Sequence, residues 1–200
     1  LKIKTVEYVG TIATPSQTRP GPLPQIAFSG RSNVGKSSLI NVVLQRTRKT
    51  IARVSSTPGK TQAINFFEVN GEFYLVDLPG FGYAQVPKKM RDAWQGLIEG
   101  YLSSEEGPIG VVHLVDCRRP PTDLDLQMLD YLSGVGLPTL IVLTKMDKLR
   151  SQRAREVAID TAAKELGIDR DQLVPFSSLS GEGRDALVGA LGDLLREAAR

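Results

Sequence analysis

The sequence predicts an α/β domain in three layers: a mostly parallel six-stranded sheet, one antiparallel edge hairpin, and helices on both faces. Three observations carry this reading. Short apolar runs alternate with helix-length amphipathic stretches along the chain, as in repeated βαβ units. Asn70-Gly71 joins two such runs with the residues of a two-residue hairpin turn. A glycine-rich segment leaves one apolar run and enters a helical pattern directly.

Taken in order, residues 1–9 alternate like a strand, and the four prolines between positions 14 and 24 mark an extended connection. Residues 1–24 are therefore expected to be an N-terminal strand and Pro-rich extension of a single domain spanning 1–200. The candidate sheet strands are 25–29, 63–69, 72–77, 109–116, 139–144 and 172–176. The candidate helices are 36–45, 88–102, 122–134, 151–166 and 184–197. Ser151 and Ser180 stand where helix starts are capped or approached, and Gly134 and Gly167 where helices end.

Two hundred residues with 41% hydrophobic content suffice for one sizeable core. No apolar run approaches the ~18 residues of a membrane span, and the first residues lack a secretory signal's apolar core. The last residues hold no prenylation cysteine. Cys117 is the only cysteine, which excludes an internal disulfide and fits a reducing compartment. The expectation is a cytoplasmic monomer with no membrane partner. Charge is divided unevenly. Residues 1–67 hold ten Lys/Arg and one acid, Glu7, for +9, whereas the remaining 133 residues carry −6. Arg46, Arg48, Lys49, Arg53 and Lys60 cluster after the first helix, more basic charge than a nucleotide needs, so a nucleic acid is the expected partner of that face.

The glycine-rich segment Gly30, Arg31, Ser32, Asn33, Val34, Gly35, Lys36, Ser37 fits G-x-x-x-x-G-K-[ST] in register, between strand 25–29 and helix 36–45. Main-chain amides through Ser38 can converge on a polyphosphate there, because glycine lets the chain wrap closely and the helix N-terminus is electropositive. Lys36 supplies charge at the β- and γ-phosphates and Ser37 a hydroxyl for Mg²⁺. This makes the expected architecture a P-loop NTPase fold. Asp77-Leu78-Pro79-Gly80 ends the strand after the hairpin, where a carboxylate can hold Mg²⁺ through water and the Gly80 amide can meet the γ-phosphate. Thr144-Lys145-Met146-Asp147 closes the strand 139–144. Guanine offers two adjacent donors that a single carboxylate accepts, and adenine does not, so Asp147 would select the base while the stem of Lys145 lies along the ring. Ser177, Ser178 and Leu179, one βα unit later, can offer a main-chain amide to the guanine carbonyl.

These four segments resemble signature boxes of the translation-factor-related GTPases. Two longer runs, Thr57-Pro58-Gly59-Lys60-Thr61-Gln62-Ala63-Ile64-Asn65-Phe66-Phe67 and Asp77-Leu78-Pro79-Gly80-Phe81-Gly82-Tyr83-Ala84, resemble the EngB (YihA/YsxC) type, and the resemblance extends from about Ile26 to the C-terminus. It implies a Mg²⁺-dependent GTPase that binds GTP and GDP and acts in assembly of the large ribosomal subunit. By the same resemblance Thr61 is the threonine that meets Mg²⁺ when the γ-phosphate is present; Thr57 is its nearest competitor, and spacing leaves both open. Thr144 replaces a common asparagine as a feature of this type.

Phe81 follows Gly80 where many GTPases place a glutamine. Phenylalanine cannot orient water, so intrinsic hydrolysis should be slow, with Lys36, Thr61 and Gly80 positioning the phosphates. Asn33, by resemblance, holds potassium against the phosphates; equally, it serves the turn alone. Segments 46–67 and 81–89 are expected to respond to the γ-phosphate and, with Lys88, Lys89 and Arg91, to gate contact with ribosomal RNA. Related readings are a GTPase of cell division or tRNA modification, or a nucleotide-gated interaction module with little turnover. His113, without a second histidine or an acid partner by spacing, reads as a hydrogen-bonded core residue, and Cys117 as packed. Trp94 and Tyr101 read as core anchors of their helix. The run Arg118-Arg119-Pro120-Pro121 reads equally as an RNA contact or a solvated loop.

Overall fold

In the computed structural model, residues 1–14, 17–45, 63–82 and 88–199 are described. Arg46, Arg48, Lys49, Arg53, Thr57, Lys60, Thr61, Tyr83 and Ala84 lie outside them, as do the side chains of Lys88, Lys89, Arg91 and Trp94. The strands are β1 (Val6–Ile12), β2 (Gln25–Gly30), β3 (Ile64–Val69), β4 (Phe73–Asp77), β5 (Gly110–Asp116), β6 (Thr139–Thr144) and β7 (Leu173–Pro175). The helices are α1 (Lys36–Val43), α2 (Lys88–Leu102), α3 (Asp123–Gly134), α4 (Gln152–Leu166) and α5 (Arg184–Ala198).

The sheet has seven strands in the order β1-β3-β4-β2-β5-β6-β7, not six. The additional strand is the N-terminal one, which joins the sheet as its edge. β1 pairs antiparallel with β3 from Val6 opposite Val69 to Ile12 opposite Ile64, with a bulge between Tyr8 and Gly10. Asn70 fixes this docking. Its side-chain oxygen accepts from the amides of Lys4 and Thr5 at 2.8 and 3.2 Å, and its amide nitrogen donates to the Lys2 carbonyl at 2.8 Å. Asn70 and Gly71 take φ of 57° and 68°, the twist a tight hairpin needs, and β3 and β4 pair antiparallel as their sequence implies. The remaining neighbours are parallel.

Alternation along β2 divides the core. Ile26 and Phe28 join Leu39, Ile40, Leu187 and Leu191 under α1 and α5, while Ala27 faces Leu97, Tyr101 and Leu132 on the side of α2 and α3. A third cluster, including Ile141, Leu143, Met146 and Ala162, seats α4. Tyr101 anchors α2 as expected: its hydroxyl donates to Gln25 Oε1 at 2.9 Å, and the Arg19 guanidinium lies 5.2 Å from its ring centre, strapping the Pro-rich extension beneath the sheet. Ser151 caps α4 by accepting the Ala154 amide at 3.1 Å, and Gly167 ends that helix with φ 66°. Gly134 is the last residue of α3 but not its left-handed cap: Val135 holds the C-cap position, and Gly136 takes the left-handed turn at φ 71°. Ser180 precedes α5 without capping it, because Gly183 holds the N-cap position. No helix among the described residues is long and apolar enough to cross a membrane.

Candidate nucleotide site

The C-terminal ends of β2, β4, β5, β6 and β7 share one edge of the sheet, where an open α/β sheet places its ligand. β2 ends in Gly30 and turns through Arg31, Ser32, Asn33 and Val34, closed by the Val34 amide donating to the Arg31 carbonyl at 3.2 Å. Gly35 is the N-cap of α1 at φ 106°, a conformation L side chains rarely adopt, which explains the invariable glycine of this loop pattern. Lys36, Ser37 and Ser38 then form the first turn of α1, where free amides and the helix dipole favour an anion.

Lys36 is buried and ion-paired with Asp77 at the end of β4. The strand-ending acid and the loop lysine thus meet at one point, with Ser37 in the next helical position. A serine hydroxyl and a carboxylate are hard oxygen donors suited to Mg²⁺, so Ser37 and Asp77 fit the expected metal. Thr61, the third expected ligand, lies outside the described residues. Gly80 passes over the loop so closely that a Cβ would stand 3.1 Å from Ser32 Cα and 3.2 Å from its nitrogen. The Ser32 amide donates to the Phe81 carbonyl at 2.9 Å, and the Phe81 amide donates to the Gly30 carbonyl at 3.4 Å, a two-stranded bridge between the two segments.

The base end is built by side chains from three strand ends. Lys145, at φ 64°, donates from Nζ to the Asn33 carbonyl at 2.6 Å and to Asp116 Oδ2 at 2.9 Å. Its stem therefore lies across the loop, with Cε 3.9 Å from where a Gly35 Cβ would be. The buried Thr144 hydroxyl donates to the Val34 carbonyl at 2.7 Å and lies 3.2 Å from the Val115 carbonyl, which gives the threonine of this motif a definite task. Asp147 accepts the Ser177 hydroxyl at 2.8 Å and lies 3.4 Å from Lys148 Nζ. Partial burial pushes its carboxyl upward, but Ser177 and Lys148 outweigh that and carry it below the ordinary value, keeping the acceptor ionised. Ser177 Oγ also accepts the Leu179 amide at 3.2 Å, while Ser178 is half-buried and Leu179 stands 80% exposed.

Asp116 is a site residue that motif reading missed; its one sequence signal is an acid ending the strand beside the phosphate-loop strand. It also accepts from Arg118 Nε at 2.9 Å and lies 2.7 Å from Arg118 Nη2. Burial pushes its carboxyl upward, but Arg118 and Lys145 outweigh burial and lower it to about 2. Arg118, exposed in its loop, is thus ion-paired with Asp116 within the chain. A cleft of about 250 Å³ opens between the loop and this segment, lined by Arg31, Ser32, Asn33, Asp116, Arg118 and Lys145 among others. Cys117 is buried, its thiol pushed up to about 11 by burial and then by Asp116, as suits a packed, protonated side chain. Asn33 has φ 62°, a left-handed conformation asparagine tolerates, so the turn alone accounts for it.

His113 is the hydrogen-bonded core residue expected, with one addition. It is a core histidine, with Nδ1 2.8 Å from Ser29 Oγ, but it does have an acid partner: Nε2 lies 3.6 Å from Asp125 Oδ1. Spacing could not reveal this, because Asp125 arrives from the first turn of α3.

Comparison with known proteins agrees with this geometry. The family model described as "50S ribosome-binding GTPase" matches residues 25–145. A relative from Gemmatimonas aurantiaca called "Probable GTP-binding protein EngB" is 50% identical over 194 residues, 96% of this chain and 94% of the relative. One of the same name from Citrifermentans bemidjiense is 46% identical over 198 residues, 98% and 91% of the two chains. Among solved structures, a probable GTP-binding protein engB superposes with a TM-score of 0.70 at 25% identity, over 86% of this chain and 99% of that one. A variant of Aquifex aeolicus Era bound to GDP and aluminium fluoride shares the fold, with a TM-score of 0.67 at 21% identity over 86% and 56%.

Proposed function

The chain belongs to the EngB family of GTP-binding proteins, and on that premise we propose that it is a Mg²⁺-dependent, GTP-hydrolysing switch acting in cytoplasmic assembly of the bacterial large ribosomal subunit. The observation that carries the nucleotide part is the joining of two half-sites by Lys145, which bonds to the phosphate loop at Asn33 while Asp147, two residues on, faces Ser177. A ligand with phosphates at one end and paired donors at the other fits that span. The description of the matched family and the +9 charge of residues 1–67 support the ribosomal part.

In this reading the amides of the loop and the first turn of α1 take the phosphates. Lys36 shares its charge between Asp77 and the β/γ oxygens, and Asp147 accepts from the guanine N1–H and amino group. Mg²⁺, held by Ser37, Asp77 and Thr61, would neutralise charge developing on the β- and γ-oxygens. The Gly80 amide positions the γ-phosphate. Phe81 offers no group to orient water, so turnover by the isolated protein is slow.

Asn33 as a potassium ligand rests on the resemblance alone, since the turn accounts for the residue. Exchange of sodium for potassium at constant ionic strength decides it: faster hydrolysis that Asn33→Gly abolishes supports the ion, and equal rates in the two salts dismiss it. Phe81 also sustains a second reading, a nucleotide-gated interaction module with little turnover, which multiple-turnover phosphate release would exclude. The ribosomal role is tested by co-sedimentation with separated subunits. Retention on the large subunit with a non-hydrolysable GTP analogue and loss with GDP is expected. Salt-insensitive binding that ignores the nucleotide would overturn the gated contact. Arg46, Arg48, Lys49, Arg53 and Lys60 are the proposed RNA-facing residues.

A further inference from the structure

His113 occupies the middle of β5 with no exposed surface, directly beside the strand that delivers the phosphate loop: it is the register partner of Ser29. One ring nitrogen meets Ser29 Oγ at 2.8 Å. The other faces Asp125 Oδ1 at 3.6 Å, and neither of those two buried atoms has a hydrogen-bond partner among the described residues. Polar atoms left in this condition destabilise a core, and an apolar side chain of similar size would avoid the cost. The arrangement therefore needs a reason beyond packing.

The group lying over the imidazole supplies one. The Phe81 ring stacks on His113 with centroids 6.0 Å apart and planes 13° from parallel. The Phe81 main chain is bonded on both sides to the phosphate loop, through Ser32 and Gly30. Its neighbours are confined as well: Gly80 abuts Ser32, and a Cβ on Gly82 would lie 3.2 Å from Leu124 of α3. Asp125 has two tasks, for its other oxygen accepts the Thr122 amide and hydroxyl at 2.8 and 2.7 Å and caps α3. One carboxylate thus caps α3 and faces, across 3.6 Å, the imidazole beneath the segment expected to sense the γ-phosphate.

We infer that His113 is a positioning residue for GTP hydrolysis: backed by Asp125 and Ser29, it seats the Phe81 ring and so holds the Gly80 amide in place over the phosphate loop. The inference rests on the GTPase reading above. The partners of His113 among the described residues, Ser29, Asp125 and Phe81, are none of the residues assigned to nucleotide or metal, so it acts on the rate and leaves ground-state binding largely alone.

The test compares single-turnover GTP hydrolysis and GDP affinity in wild type, His113→Leu, His113→Gln, Phe81→Leu and the His113→Leu/Phe81→Leu double variant. Misplacing a catalytic group by about 1 Å can cost ~100-fold, so His113→Leu should lose about 10- to 100-fold in rate with GDP affinity within about threefold. Glutamine can still pair with Ser29 and reach Asp125, and His113→Gln should recover most of the rate. In the Phe81→Leu background the His113→Leu loss should largely vanish, because the two act as a unit. Should His113→Leu fail to fold, a His113→Gln rate equal to wild type with the Phe81→Leu rate also unchanged would overturn the inference. An unaltered rate in His113→Leu, or losses that multiply independently in the double variant, would do the same. A wild-type protein that neither binds nor hydrolyses GTP would instead defeat the underlying functional reading.

Discussion

The Thr144 hydroxyl donates to the Val34 carbonyl at 2.7 Å, joining the end of β6 to the middle of the phosphate loop across 110 residues of sequence. Both groups are buried, so the bond fixes the distance between the phosphate and base ends of the site. Thr144→Val preserves shape and leaves the carbonyl without its donor, which costs about 1–3 kcal/mol. Denaturant unfolding should show that loss, and Thr144→Ser should restore most of it.

Gly80→Ala places a methyl group 3.1–3.2 Å from main-chain atoms of Ser32. A backbone neighbour yields less readily than the end of a flexible side chain, so the segment must move away from the loop. GTP hydrolysis should fall at least about tenfold while GDP affinity stays within about threefold, read by single-turnover kinetics beside equilibrium titration.

Asp116 makes the protein sensitive to acid. Its carboxyl is lowered from 3.8 to about 2 in the folded chain, chiefly by Arg118 and Lys145 acting against burial. A depressed carboxylate contributes its full stability above the unfolded value and loses it as pH falls through the folded one. The loss therefore spans about pH 4 to about pH 2, and, since the side chain is partly exposed, screening leaves on the order of 1 kcal/mol. Asp116→Asn should flatten the stability curve over that interval; an unchanged slope between wild type and variant would refute the assignment.

Tyr101→Phe removes the hydroxyl that donates to Gln25 Oε1, leaving a buried amide oxygen short of a donor beneath the sheet. About 1–2 kcal/mol of stability should disappear in thermal or denaturant unfolding. Gln25→Leu made together with Tyr101→Phe should recover part of it, because the unmet acceptor is then gone.

The candidate nucleotide site was legible because its motifs are local. A loop needing left-handed Gly35, an acid ending β4 and the acid proposed to read the base, three residues past the end of β6, each appear as short contiguous motifs. The Asn70-Gly71 hairpin was legible for the same reason. What escaped depends on contacts between distant segments. β1 joined the sheet because Asn70 holds Lys2, Lys4 and Thr5, a long-range arrangement that alternation alone cannot announce. Asp125 was hidden as a capping residue, its second oxygen turned toward His113. Asp116 carries no motif, although Lys145 depends on it. At the end of α3, either Gly134 or Gly136 could have taken the left-handed position, and it is the latter that does.

The central claim is that one carboxylate reads the guanine base of a nucleotide whose phosphates the loop holds. The most direct measurement is a calorimetric titration of GDP and xanthosine diphosphate into wild type and Asp147→Asn. Xanthine presents a carbonyl where guanine presents an amino group, so an amide at position 147 reverses the required donor. The account predicts that wild type prefers GDP strongly, by up to ~10⁴-fold, and that Asp147→Asn prefers the xanthine nucleotide. Equal binding of the two nucleotides by wild type, or an Asp147→Asn variant that keeps the guanine preference, would contradict it.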